Sequence, residues 1–150
     1  MNVEIRKKGV EKGVYALKEF NKGDIVIIGH NIESSNMQTK YTVQVDVDKH
    51  ILIKEPFLYV NHSCDPNTGI VPNEVSGYNL EAIKPIKGGE EITYDYATSD
   101  WIIVGMPEKC TCNTKMCRGK IKGGKYLSEE LLKKYDGYLA PYLKKIQNNI

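Results

Sequence analysis

The chain has no apolar run near the roughly 20 residues that a membrane-spanning helix needs, so none is expected. Met1 to Lys8 carries charge but no apolar stretch follows it, so no secretory signal is expected either. Neither sign of charge is in excess: 21 Lys and Arg stand against 19 Asp and Glu, a net charge of +2. A nucleic-acid binder would be expected to carry a strong basic face, so direct nucleic-acid binding is not expected. Internal repeats and low-complexity tracts are absent from the sequence. Tryptophan and phenylalanine are scarce, with one and two copies, so ten tyrosines supply most of the aromatic surface. What remains is 150 residues, 41% hydrophobic, enough for one domain with a real core. The expected setting is a reducing intracellular compartment, cytoplasm or nucleus, with secreted export left open.

Cysteine is scarce too, but its four copies are placed tellingly. Cys110, Cys112 and Cys117 form a C-x-C-x4-C cluster, and Cys64 lies far upstream in Asn61-His62-Ser63-Cys64-Asp65-Pro66-Asn67. Four thiolates are what a closed tetrahedral zinc site requires. In a reducing compartment such clustering favours metal over disulfide. Two disulfides, with three possible pairings, are the alternative. Met106 to Gly124 is rich in Cys, Lys and Gly and poor in apolar residues, so burial alone would not hold it; a metal staple would.

The periodicity predicts a mainly β chain. Val3–Ile5, Gly13–Ala16, Ile25–Ile28, Ile51–Ile53, Phe57–Val60, Tyr78–Ile83 and Glu91–Tyr94 are strand candidates between Lys/Asn/Gly turns. Thr42–Val47 alternates with period two, which predicts one buried face. Ser128 is a candidate N-cap with Glu129 and Glu130 in the first helical turn, where the helix dipole favours acids. Leu131, Leu132 and Tyr135 follow at helical spacing, and Gly137 ends that helix. A second short helix is predicted over Tyr138–Ile146, limited by Pro141, and the tail is expected to pack against the sheet. The expected division is 1–104, 105–124 and 125–150.

Three separated segments combine into one pattern: Lys12-Gly13-Val14-Tyr15-Ala16; the Asn61–Asn67 heptapeptide; and Gly89-Glu90-Glu91-Ile92-Thr93-Tyr94-Asp95-Tyr96, followed by the cysteines and Cys117-Arg118-Gly119. Together they resemble the SET-domain protein lysine methyltransferases with a zinc-binding post-SET segment, over roughly Glu11 to Gly119. The resemblance implies a SET fold of several small sheets with a pseudoknot, a zinc-stapled post-SET segment and short C-terminal helices. It implies S-adenosylmethionine as methyl donor, structural Zn2+ on Cys64, Cys110, Cys112 and Cys117, and a protein substrate with an exposed lysine, histone-like or otherwise basic. Asn61 and His62 would hold the cofactor, with Glu11, Lys12 and Gly13 at the matching loop. Tyr96 matches the catalytic tyrosine, which would also touch the cofactor. Tyr94 matches the position that tunes methyl count, and Tyr41 falls near the lysine channel.

Those residue types suit the chemistry. Methyl transfer to an amine is an in-line displacement that needs the neutral amine, whereas free lysine has a pKa of about 10.4. An apolar channel and a neighbouring sulfonium would both lower that value. Tyrosine rings line such a bore and attract cations, while their hydroxyls orient the amine. A hydroxyl at Tyr94 would hold a water where further methyls must go, which favours mono- or dimethylation. The zinc segment would close over the cofactor and complete the channel wall. Trp101 is read as either a channel residue or core.

The chain departs from the family pattern at Glu11, which replaces a loop glycine, and at Gly29-His30-Asn31, where the usual glutamate is missing. The short stretch before Asn61 leaves little room for an insert, so an open substrate groove is expected. Two rivals stand beside this reading: a SET-fold module that has lost catalysis and binds a partner tail, and a zinc-ribbon nucleic-acid protein. Retention of Tyr96, Asn61 and His62 argues against the first, and the modest charge against the second.

Overall fold

The computed structural model describes residues 1–30 and 33–148. Asn31 lies outside them, as do the last two residues of the tail. Ten strands dominate. β1 (Val3–Lys8) and β2 (Glu11–Ala16) form a hairpin in register from Val3 opposite Ala16 to Lys8 opposite Glu11. There follow β3 (Ile25–Ile27), β4 (Ser34–Ser35), β5 (Thr42–Asp46), β6 (Lys49–Leu52), β7 (Asn61–His62), β8 (Thr68–Pro72), β9 (Tyr78–Ala82) and β10 (Glu91–Tyr94). They assemble into a four-stranded sheet, β1-β2-β10-β7, and two three-stranded sheets, β3-β9-β8 and β4-β6-β5.

The apolar positions that the β pattern picked out become the core. Val14, Ile70, Leu80, Ile86 and Ile92 have no exposed surface and belong to one hydrophobic cluster that spans the sheets. Each such side chain contributes about 1.5–3 kcal/mol relative to exposure. The tail joins this cluster through Tyr135, Leu139, Ala140, Tyr142 and Leu143. The tail carries two short helices, α1 (Glu129–Lys134) and α2 (Pro141–Asn148); Tyr142 and Leu143 are on α2, whereas Tyr135, Leu139 and Ala140 lie in the turn between the two. Ser128 caps α1, its hydroxyl accepting the Leu131 N–H at 3.2 Å. Gly137 then takes φ +87°, a left-handed turn that reverses the chain after α1.

Three expectations change, and β8 is a strand that the pattern did not predict. Phe57–Val60 is not a strand: Phe57–Tyr59 forms a single 3-10 turn, with the Leu58, Tyr59 and Val60 N–H groups bonded to carbonyls three or four residues back. The second tail helix starts at Pro141, not Tyr138, because proline is tolerated in a first turn and not beyond it. β5 does not bury one face only, since Thr42, Val43 and Gln44 are all buried. The Gln44 amide is accommodated by donating to the Asp46 and Val47 carbonyls at 3.1 and 3.0 Å. β8 was hidden by its Gly69 and Pro72; it lies at a sheet edge, where proline costs no ladder bond.

Candidate active site

The site grows from the parallel pairing of β7 with β10, which places Thr93 opposite Asn61 and Tyr94 opposite His62. The Ser63 N–H extends the pairing to the Tyr94 carbonyl at 3.1 Å. Asn67 then acts as a side-chain strand: its Nδ2 donates to the Glu91 carbonyl at 2.8 Å and its Oδ1 accepts the Thr93 N–H at 3.0 Å. The heptapeptide and the tyrosine segment are thereby one unit, although about 30 residues separate them in the chain.

Tyr94 and Tyr96 lie side by side with ring centroids 4.9 Å apart. Phe57 packs edge-on to Tyr94 at 5.6 Å and His62 edge-on to Tyr96 at 5.3 Å. Burial raises both phenol pKa values, and the Tyr96 hydroxyl donates to the Val60 carbonyl at 2.7 Å. The two tyrosines line an open cleft of about 250 Å3 that is shared by Glu11, Lys12, Tyr41, Tyr59, Asn61 and Asp100. Asn61 is anchored by donating to the Lys12 carbonyl at 3.0 Å and to Glu91 Oε1 at 2.8 Å. Gly13 lies beneath this contact, where a Cβ would come within 2.8 Å of Glu91 Oε1 and 3.4 Å of Asn61 Nδ2. The Lys12 ammonium sits over the Tyr59 ring at 4.5 Å.

Of the predicted site residues, Glu11, Lys12, Tyr41, Asn61, Tyr94 and Tyr96 therefore converge on one cleft. Gly13 and His62 are not among its lining residues; Gly13 supports Asn61, and His62 backs the tyrosines. Trp101 packs against the core. Burial pushes His62 down to about 4, the pull of Asp95 notwithstanding, so the ring is neutral. The Tyr96 N–H donates to its Nδ1 at 3.2 Å, which assigns the ring hydrogen to Nε2, 3.4 Å from Cys64 Sγ.

Cys64, Cys110, Cys112 and Cys117 bring their sulfurs within 4.8 Å of one another, close enough to hold a metal. Donors already point at the sulfurs: the Arg118 N–H at Cys64 and the Gly119 N–H at Cys117, each at 3.4 Å. Burial pushes the Cys110 thiol up to about 12. It opposes ionisation at Cys112 as well, but hydrogen bonds, the Thr114 hydroxyl first, bring that thiol down to about 6. Four crowded thiols cannot all ionise without a cation among them, and a divalent metal supplies one.

The residue that joins these parts is Asp95, fully buried between the two tyrosines. It accepts from Arg118 Nη2 at 2.8 Å, from the Tyr135 hydroxyl at 2.9 Å and from the Ala97 N–H at 3.1 Å. One carboxylate thus ties β10 to the cysteine segment and to α1's end. In the sequence, Asp95 and Arg118 stand inside the motifs without a role of their own, and Asp100 does not stand out. The available signal was an arginine directly after a metal-ligand candidate and an acid between two site tyrosines.

A mainly β scaffold that carries both a tyrosine-lined cleft and a metal-competent thiol cluster defines the class. The SET domain family description matches residues 11–97, more than half of the chain, and the chain belongs to that family. It is 28% identical over 109 residues to the methyltransferase flvH of Aspergillus flavus, which covers 71% of this chain and 58% of that one. It is 46% identical over 69 residues to the histone-lysine N-methyltransferase ash1 of Drosophila melanogaster, covering 43% of this chain and 3% of that one. The chain thus spans under two thirds of either relative. The crystal structure of KRYPTONITE, in complex with mCHG DNA and SAH, superposes with a TM-score of 0.65 at 19% identity, over 80% of this chain and 29% of that one, and shares the fold.

Proposed function

We propose that the chain transfers methyl groups from S-adenosylmethionine to the side-chain amine of a lysine in a histone or other basic protein, stopping at mono- or dimethylation. The observation that carries this is the convergence of Glu11, Lys12, Asn61, Tyr41, Tyr94 and Tyr96 on one cleft. Relatives described as histone-lysine N-methyltransferases support the acceptor class, and they favour an intracellular, nuclear setting. No helix among the described residues is long and apolar enough to cross a membrane.

The residues suit the donor. The cleft offers an aromatic face at Tyr59, a cation at Lys12 and the amide of Asn61, a set that matches a molecule with an adenine ring, a carboxylate and polar groups. When bound, S-adenosylmethionine supplies an electrophilic methyl group. The chain's own work is to align and dehydrate. Tyr94 and Tyr96 present rings to the lysine stem and hydroxyls to its nitrogen, and alignment of this kind accounts for most of the rate gain. The Tyr94 hydroxyl, near Ser99, occupies the space where added methyls would go. Zn2+ would be held by Cys64, Cys110, Cys112 and Cys117, where it neutralises the thiolates and fixes the segment that carries Arg118.

The test is incubation with methyl-labelled S-adenosylmethionine and recombinant core histones, read by mass spectrometry for site and methyl count. Labelled mono- or dimethyl-lysine is expected. Retention of the donor without any labelled product would instead mark a binding module.

A further inference from the structure

One carboxylate in the cleft has no part in the chemistry above. Asp100 lines the same cleft as Tyr41, Tyr94 and Tyr96. Its Oδ1 accepts the Gln44 N–H at 2.7 Å. Gln44 is buried, and its Oε1 accepts the Trp101 N–H at 3.1 Å. The pair of bonds fixes the direction of the carboxylate. Its second oxygen accepts no hydrogen bond among the described residues; burial raises the group's pKa and the Gln44 N–H opposes that rise. Asp95 differs: that buried charge is met by Arg118, whereas Asp100 has no cationic partner among the described residues. An unmatched anion in such a place is costly to keep.

The surroundings say what would match it. The Asp100 charge acts on the phenols of Tyr94 and Tyr96, which line the cleft with it, and on those of Tyr78 and Tyr142 in the core behind. Asp46 acts on Tyr78 and Tyr142, and Glu91 on Tyr96, so the nearby fixed charges are also negative. The other charged groups lining the cleft are Glu11, Lys12 and Lys40. Both lysines lie over other rings of the cleft, Lys12 over Tyr59 at 4.5 Å and Lys40 over Tyr41 at 5.0 Å, and neither is ion-paired with Asp100. The cleft therefore offers an entering cation an anion with one oxygen to spare.

We propose that Asp100 receives the substrate's lysine ammonium and takes its proton before methyl transfer. This rests on the methyl-transfer reading above. The proton passes from the lysine nitrogen to the Asp100 carboxylate and turns an ion pair into a neutral acid and a neutral amine. The freed lone pair forms the nitrogen–methyl bond as the methyl–sulfur bond breaks, and that electron pair stays on sulfur. The Asp100 proton then leaves to solvent through the open cleft, which readies the carboxylate for the next turnover or the next methyl. Burial favours this exchange because it penalises both charged partners, raising the acid and lowering the amine towards one another. Burial holds Asp100 at about 7, near where a general base is most effective.

Asp100→Asn keeps the side-chain shape and an acceptor for the Gln44 N–H, so it isolates the charge. With S-adenosylmethionine and recombinant core histones, wild-type kcat/KM should rise through neutral pH. The variant should lose at least about tenfold and have its rise displaced towards alkaline pH, where lysine deprotonates unaided. Superimposable profiles would overturn the proposal. A second measurement needs no turnover: the Asp100 carboxyl is titrated by 13C NMR with and without n-butylammonium, a lysine side-chain mimic. A midpoint near neutrality that falls when the amine is added supports the site; a midpoint unmoved by the amine overturns it. If neither protein methylates histones, the methyl-transfer reading fails on that substrate, and the carboxyl titration still decides whether Asp100 binds an ammonium.

Discussion

Two phenols, separated by one residue, stand in different surroundings. Tyr96 donates its hydroxyl to the Val60 carbonyl at 2.7 Å, and its ring is backed by His62. Tyr94 is the more deeply buried, with Phe57 on one side and Ser99 near its hydroxyl. Tyr96→Phe should cost about 10²-fold in kcat, since a lost orienting contact at the reacting nitrogen acts through alignment. The fold should survive, at a cost of about 1 kcal/mol for one hydrogen bond. Tyr94→Phe should keep the first methylation and shift products to higher methyl states, because a hydroxyl leaves the space an added methyl must fill. One mass spectrum per variant on the same histone substrate separates the two roles. Loss of all activity in Tyr94→Phe, with altered methyl count in Tyr96→Phe, would reverse the assignment.

At the scale of elements, Asp95 and the thiol cluster decide how the C-terminal third attaches. The cysteine segment has little backbone pairing of its own; two of its bonds run from Cys110 N–H to the Gly119 carbonyl at 3.0 Å and from Ile121 N–H to the Glu108 carbonyl at 2.8 Å. Metal analysis should find one zinc per chain. Chelation, or Cys112→Ser, should release amide exchange over residues 106–121 while the three sheets stay protected. Exchange that rises everywhere together would mean that the metal holds the whole fold. Tyr135→Phe removes a hydroxyl from a carboxylate that Arg118 still pairs, 40 residues away in sequence from its partner. It should destabilise by about 1–3 kcal/mol, since a buried charged acceptor loses one donor. Urea unfolding with an unchanged slope checks it. A loss smaller than about 0.5 kcal/mol would show that the tail is held by its apolar contacts alone.

For the whole molecule, Asp100, half-buried in the cleft and without a cationic partner among the described residues, sets a pH trend in stability. Asp100 has its pKa raised from 3.8 to about 7 in the folded chain. The folded state therefore holds a proton that the unfolded state has released, and stability falls as pH rises from about 4 through about 7. The size of the fall is on the order of a few kcal/mol. Asp100→Asn should match the wild-type melting temperature near pH 5 and exceed it at pH 8; parallel curves would show that Asp100 is not destabilised by burial. The chain's order of residues alone determined much of this protein. The NHSC and Tyr-Asp-Tyr segments, the four cysteines, the β-rich pattern and the capped tail helix are legible because the chemistry resides in residue types and short spacings. The 3-10 turn at Phe57–Tyr59 and the edge strand β8 were not, since local composition there suits more than one conformation. Tertiary structure alone decided which acid is matched and which is left free. Asp95 meets Arg118 across 23 residues and Asp100 meets only a backbone N–H across 56. A charge is stabilised or stranded by what folding brings within a few ångströms of it, and that depends on loop closure and burial, which no neighbouring residue in the sequence specifies.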